Sequence, residues 1–272
     1  MIPNFTHIDI SIQDKVAFAH LNRPNKANAL NEVLWFEIEK LAHWVEATPQ
    51  VRVLVLAGNG KHFTAGIDYS LIMSLLSKVT KLPEGHKQEL MFKEIVKLQR
   101  AFSAIEECSK PVIAAVHGSC LGGGVDLICA CDIRYGTANA TFCIKEVDLA
   151  IVADIGTLQR LPPIIGEGRT RELAYTARKF DAAEAKSMGL LNEVYQDKDG
   201  LMQSVTQIAQ QIAEKSPLTV RGIKRVMNYS RDHGVEDGLR YVATWNSSML
   251  LSVDAKESMR AMMTKSKPSY LD

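Results

Sequence analysis

The feature that most narrows the fold is a repeated order of strand, glycine turn and helix. Val51-Arg-Val-Leu-Val-Leu-Ala-Gly58 is an apolar run ending in glycine, followed by a loop and the turn Phe63-Thr-Ala-Gly-Ile-Asp68. Pro111-Val-Ile-Ala-Ala-Val-His-Gly118 has the same form and leads into Cys120-Leu-Gly-Gly-Gly-Val-Asp126 and an apolar helix. Runs this apolar read as strands buried on both faces, which need parallel neighbours and helices packed over the sheet. Their recurrence predicts an α/β fold of stacked β-β-α units with a partly parallel sheet. The residues of the two units barely match, so the repeat is structural.

The remaining elements fit around this frame. Alternating apolar and polar residues from Ile8 to Ile12 and from Val16 to Leu21, separated by Gln13-Asp14-Lys15, predict a two-stranded antiparallel start. After a polar loop with Pro24, the residues Leu30, Leu34, Ile38, Leu41 and Val45 recur at helical spacing and mark a buried helix face. Met91, Ile95, Leu98, Phe102 and Ile105 form a second such stripe, read as core packing. The segment from Tyr69 to Gly85 carries Leu71, Ile72, Met73, Leu75 and Leu76 and reads either as a cap over an apolar pocket or as a surface helix and loop. Beyond Ile165 the pattern is mostly helical, over 170–177, 182–188, 201–214, 219–229 and 235–265 with a break near Ser252. Leu239, Val242, Trp245, Met249 and Leu250 keep the last helices apolar, so these fold back on the core or build a subunit interface.

Composition excludes several classes of function. With 46% apolar residues, 23% charged residues and a net charge of +1, the chain has no global field for nucleic acid or a membrane. No segment approaches the roughly 20 apolar residues of a membrane span. The N-terminus lacks the basic start and apolar run of a signal peptide, and the last residues, Pro-Ser-Tyr-Leu-Asp, are not a Ser-Lys-Leu signal, so a cytoplasmic location is expected. Cys108, Cys120, Cys129, Cys131 and Cys143 are crowded into apolar text without metal-ligand spacing. They read as buried free thiols, and no metal site is expected.

Chemistry concentrates at the glycine turns and at three acids. Gly122-Gly-Gly124 opens a helix, where missing side chains let a ligand approach unpaired backbone N–H groups; close helix–strand packing is the alternative use of such glycines. Ala65-Gly66-Ile67-Asp68 holds the equivalent place after the preceding strand, and two N–H donors converging on one oxygen make an oxyanion hole. Asp126, Glu146 and Asp154 are acids embedded in apolar text, so they are paired, hydrogen-bonded or shifted in pKa. Each has a structural alternative: Asp126 accepting from its own helix start, Glu146 pairing with Lys145 or Arg134, and Asp154 capping the helix before Thr157. Ser119 and His117 lack the GxSxG elbow of a serine hydrolase.

Four segments in order resemble the crotonase, or enoyl-CoA hydratase/isomerase, superfamily. These are Asn22-Arg-Pro-Asn-Lys-Ala-Asn-Ala-Leu30, Phe63-Thr-Ala-Gly-Ile-Asp68, Val116-His-Gly-Ser-Cys-Leu-Gly-Gly-Gly-Val-Asp126 and Gly156-Thr-Leu-Gln-Arg-Leu161. The resemblance implies a crotonase-like spiral core over residues 1–200, binding CoA and carrying the catalytic groups, and a helical oligomerisation region over 201–272 that packs homotrimers or homohexamers. It implies an acyl-CoA thioester substrate, with coenzyme A as part of the substrate and no separate cofactor. The N–H groups of Ile67 and Gly123 would hold the thioester oxygen as an enolate forms. Lys26, Ala27, Ala29, Ala65, Gly66, Asp68 and Gly122 would form the substrate- and CoA-binding surface.

Hydratases of this family hold one water between two glutamates, at the places of Asp126 and Glu146. This chain has a shorter aspartate at the first place and an additional acid, Asp154, where hydratases usually have glycine. The trio resembles that of the Δ3,5-Δ2,4-dienoyl-CoA isomerases, which implies isomerisation of 3,5-dienoyl-CoA in fatty acid β-oxidation, with Glu146 as base at C2, Asp154 as acid at C6 and Asp126 assisting. An enoyl-CoA hydratase and a non-catalytic or RNA-binding relative are the other two readings. Scattered Lys and Arg, balanced by acids, leave the last without a basic patch.

Overall fold

Each residue of Val53–Gly58 and of Val112–Val116 is buried, and the physical reason is that helices cover both faces of the sheet to which they belong. The computed structural model describes residues 2–271. Among them the chain runs through β1 (Ile8–Gln13), β2 (Val16–Leu21), α1 (Glu32–Ala47), β3 (Val53–Gly58), α2 (Tyr69–Val79), α3 (His86–Glu107), β4 (Val112–Val116), β5 (Ser119–Leu121), α4 (Gly123–Cys129), β6 (Ile133–Thr137) and β7 (Thr141–Cys143). It continues through α5 (Thr157–Arg160), α6 (Pro162–Ile165), α7 (Glu167–Thr176), β8 (Phe180–Asp181), α8 (Ala182–Met188), β9 (Glu193–Tyr195), α9 (Lys198–Ala213), α10 (Pro217–Asp232), α11 (Val235–Met249) and α12 (Val253–Thr264).

The main sheet has the order β1-β2-β3-β4-β6-β9. Its first pair is the expected antiparallel hairpin, and every later pairing is parallel. A second, small sheet of β5, β7 and β8 stands beside the ends of the parallel strands. Along the parallel strands, alternate side chains enter two different cores, as a period of two requires. Leu54, Leu56, Ala114 and Val116 face the larger core with α1 and α3, while Val53, Val55, Ile113 and Ala115 face Leu201, Val205 and Ala209 of α9.

That second packing bears on the division expected after residue 200. The boundary falls inside α9, and α9 closes the back of the main sheet instead of joining the helices that follow it. Five short strands, β5 to β9, were not read from the sequence. The terminal helices are present, with the break near Ser252 falling between α11 and α12. Leu239 and Leu250 remain 62% and 64% exposed while Val242, Trp245 and Met249 are half-buried, so the apolar face of these helices is covered only in part. All five cysteines are free and buried.

The wall between the larger core and the site is built around Trp35. Its ring stacks on Phe102 with centroids 4.7 Å apart, and its Nε1–H donates to the Leu98 carbonyl at 2.9 Å. Trp35 also lies under Gly123, where an added Cβ would come within 3.4 Å of its ring. Replacing Trp35 with alanine removes a large buried ring together with its hydrogen bond to Leu98, so Trp35→Ala is expected to cost about 3–5 kcal/mol, measured as a fall in urea midpoint.

Candidate active site

Three backbone segments stack side by side at the ends of the parallel strands. The Leu30 N–H donates to the Gly66 carbonyl at 2.8 Å and the Asp68 N–H to the Leu30 carbonyl at 3.1 Å, which joins the 26–31 loop to the first glycine turn. On the other side, Thr64 N–H donates to the Ser119 carbonyl at 3.0 Å and Leu121 N–H to the Thr64 carbonyl at 3.2 Å, joining the two glycine turns. Asn28, fully buried and at φ +52, ties the corner by donating to the carbonyls of Asn59 and His62 at 2.9 and 2.8 Å.

Gly66 explains why only glycine serves here. Its φ is +88, and an added Cβ would lie 2.5 Å from the Leu121 carbonyl oxygen and 3.6 Å from the Gly123 nitrogen. The two turns are therefore in direct contact. Neither the Ile67 nor the Gly123 amide has a hydrogen-bond acceptor among the described residues; Gly123 is the first residue of α4, where N–H groups lack helical partners. Gly122, at φ +48, leaves the room that the Glu146 side chain fills, with Oε1 3.2 Å from where its Cβ would stand.

Of the other residues expected to bind substrate, Ala65 and Lys26 are exposed and Ala27 and Ala29 half-buried. The Ala65 N–H is taken by the Ala27 carbonyl at 2.9 Å. Asp68 is engaged in structure: it caps α2 by accepting from the Ser70 N–H at 3.0 Å and pairs with Arg23 at 2.9 Å, which also reaches the Ala29 carbonyl. Arg23 is thus a strut of the site that the sequence reading passed over, although it lies inside the Asn22–Leu30 segment.

The three acids come together. Asp126, 1% exposed on α4, accepts at Oδ1 from both the N–H and the hydroxyl of Thr157, each at 2.7 Å. Its own helix start is not its partner. Glu146 does not pair with Lys145, which bonds Asp148, nor with Arg134, whose guanidinium is spent on the carbonyls of Leu190, Ile128 and Cys131. Its Oε2 is buried with no hydrogen-bond partner. Asp154 does not cap the helix at Thr157; the cap position is Gly156, and the Asp154 carbonyl accepts from Gln99 at 2.7 Å.

Burial dominates the electrostatics. Loss of water, reinforced by the Asp126 charge, pushes the Glu146 carboxyl up to about 7. Burial pushes Asp126 up to about 6 against the two Thr157 hydrogen bonds, and burial raises Asp154. Asp154 contributes to the upward shifts of both other acids, which places the three within electrostatic reach of one another. Beside Glu146 opens a cavity of about 360 Å³ with an apolar lining that includes Ile144, Val147, Ile151 and Leu158. Among the described residues no three His, Cys, Asp or Glu side chains converge as a metal-binding set. Ser119 and His117 do not pair: the Ser119 N–H donates to His62, and His117 meets the Gly60 carbonyl.

The sequence profile of the enoyl-CoA hydratase/isomerase family matches residues 11–272. The chain belongs to the enoyl-CoA hydratase/isomerase family. Its resemblance to the peroxisomal Δ(3,5)-Δ(2,4)-dienoyl-CoA isomerase of Arabidopsis thaliana is 50% identity over 251 residues, covering 92% of this chain and 90% of that protein. It is 44% identical to the mitochondrial Δ(3,5)-Δ(2,4)-dienoyl-CoA isomerase of Mus musculus, over 96% of this chain and 81% of that one. Among solved structures, the enoyl-CoA hydratase of Bacillus anthracis superimposes with a TM-score of 0.86 at 30% identity, covering 98% of this chain and 99% of that one. The crotonase fold expected from the four segments is therefore present, with its helical C-terminal region. The expected cytoplasmic location is overturned, because these eukaryotic relatives are named peroxisomal and mitochondrial. Absence of a recognisable address was too weak a signal to carry it.

This crotonase-type chain holds acids whose folded pKa values exceed those of the unfolded chain. Between roughly pH 4.5 and 7 the folded state therefore binds more protons than the unfolded state, and stability falls as pH rises through that window. Glu146→Gln removes the cost of the buried charge. It is expected to raise unfolding free energy by about 2 kcal/mol at pH 8, with the gain fading towards pH 5, measured by urea denaturation across that range.

Proposed function

We propose that the protein isomerises 3,5-dienoyl-CoA to 2,4-dienoyl-CoA in fatty acid β-oxidation. The observation that carries this reading is the trio of acids, Asp126 buried and Glu146 and Asp154 half-buried, beside two uncommitted backbone amides, in a chain 44–50% identical to dienoyl-CoA isomerases over most of its length. In this reading the amides of Ile67 and Gly123 donate to the thioester oxygen and stabilise the negative charge that develops there. Each such donor is worth roughly 10² to 10³ in rate.

The chemistry accounts for an acid beyond the pair a hydratase uses. Removing a proton from C2 gives a dienolate whose charge spreads to C6, and returning a proton at C6 leaves the conjugated 2,4-diene. C2 and C6 lie too far apart for one carboxylate to serve both. Glu146, with a proton affinity poised near neutrality, takes the C2 proton; Asp154, whose burial favours its protonated form, delivers one at C6. Asp126 assists from beneath, and the three titrate as a coupled set.

The apolar cavity beside Glu146 accommodates the acyl chain, and the exposed face of Lys26 with the adjoining backbone at Ala27, Ala29 and Ala65 receives the CoA moiety. Gly66 and Gly122 keep that approach clear of side chains, and Asp68 orders the turn that carries Ile67. The apolar faces of α10 to α12, with Met227, Leu239 and Leu250 exposed, support assembly as a homotrimer or homohexamer.

Purified protein given a 3,5-dienoyl-CoA is expected to generate the absorbance of a conjugated 2,4-dienoyl thioester, with little hydration of a 2-enoyl-CoA. Asp154→Asn should lower kcat by about 10² to 10⁴ with KM little changed. A folded wild type that hydrates enoyl-CoA but yields no conjugated diene contradicts the isomerase reading, and a fully active Asp154→Asn contradicts the role given to that acid.

A further inference from the structure

The acids of the site are held very unequally. Glu146 Oε2 has no partner, whereas Asp126 Oδ1 carries two donors, both from Thr157. Thr157 is 1% exposed and lies 31 residues downstream of Asp126. A carboxylate oxygen can only accept from a hydroxyl, so the Thr157 proton points at Asp126. Two donors on one oxygen favour the ionised carboxylate and fix its rotation.

The other charged and titratable groups facing Asp126 are Glu146, Asp154, Arg160 from α5, Cys120 from β5 and Cys129 on its own helix. Both thiols are pushed upward by burial and stay protonated at neutral pH. Arg160, the cation of the group, is committed to Glu106, with Nε–H donating at 2.9 Å. Thr157 is therefore the direct donor to Asp126 among the described residues. Its placement depends on Gly156 at φ +135, where an added Cβ would strike Arg160 Nη1 at 1.9 Å.

We propose that Thr157 is a positioning residue that holds Asp126 as the anionic member of the acid cluster and thereby sets how strongly Glu146 binds a proton. This rests on the isomerase reading for its consequence in turnover. With Asp126 anionic, Glu146 next to it ionises late and is a strong base when it does. Without the Thr157 hydroxyl, Asp126 competes for the proton, Glu146 ionises earlier and becomes a weaker base at C2.

The test is a carbon-13 carboxyl NMR titration of the ligand-free full chain, with Asp126→Asn and Glu146→Gln used for assignment, beside steady-state kinetics on 3,5-dienoyl-CoA. In Thr157→Val the Asp126 midpoint is expected to rise by about one pH unit and that of Glu146 to fall. The kcat should drop about tenfold with KM within about twofold, and Thr157→Ser, which keeps the hydroxyl, should restore both midpoints and kcat. Thr157→Ala reads the same if the valine variant fails to fold. Unchanged midpoints in Thr157→Val, or a serine variant that behaves like valine, overturn the proposal. Because the titration needs no turnover, an inactive wild type would count against the isomerase reading alone.

Discussion

Burial of negative charge is the constraint on which the rest of this structure depends. Three carboxyl groups are withdrawn from water around one spot, and the cost of ionising them there is what raises their proton affinity. A surface site built from the same acids would titrate near pH 4 and exchange protons weakly with carbon. Everything that keeps water out serves this end: the parallel sheet, the Trp35–Phe102 wall and the two glycine turns pressed against each other. Those turns also leave two amides uncommitted beside the acids, which unpaired backbone inside a protein normally avoids.

The arrangement is destabilising in itself. Glu146 Oε2 is buried without a donor, a state that a protein selected for stability alone would eliminate by a neutral or apolar residue. Two cores on opposite faces of the main sheet offset the cost, because every side chain of its central strands β3 and β4 is buried on one side or the other. Asp126 contrasts with Glu146 in accepting two hydrogen bonds at one oxygen, so the cluster combines one firmly held carboxyl with one that has an oxygen unpartnered.

Much of this was legible in the sequence where a residue's neighbours are local. The β1–β2 hairpin, the buried stripe of α1 and the two strand–turn units follow from periodicity and glycine placement, and the order of four short segments indicated the family. What escaped was set by contacts across long separations. Nothing in the text around Asp126 points to Thr157, and nothing around Asp68 points to Arg23. Strands of two or three residues such as β5, β7, β8 and β9 carry too few positions for an alternation to register. The boundary expected at residue 200 cuts through α9, which packs on the main sheet, because an amphipathic helix looks the same whether it covers a sheet or a neighbouring subunit. For Glu146 and Asp154, the local partners that seemed available, Lys145 and the helix at Thr157, turned out to be used by other groups.

The central claim is that one thioester oxygen is caught between the amides of Ile67 and Gly123 with Glu146 against C2 and Asp154 against C6. It is tested most directly by a crystal structure with 2,4-dienoyl-CoA bound. The account predicts the thioester oxygen about 2.7–3.1 Å from both amide nitrogens, with the two carboxyl groups facing carbons four bonds apart on the acyl chain. A thioester oxygen that meets neither amide, or a dienoyl chain that passes both acids by, would contradict it.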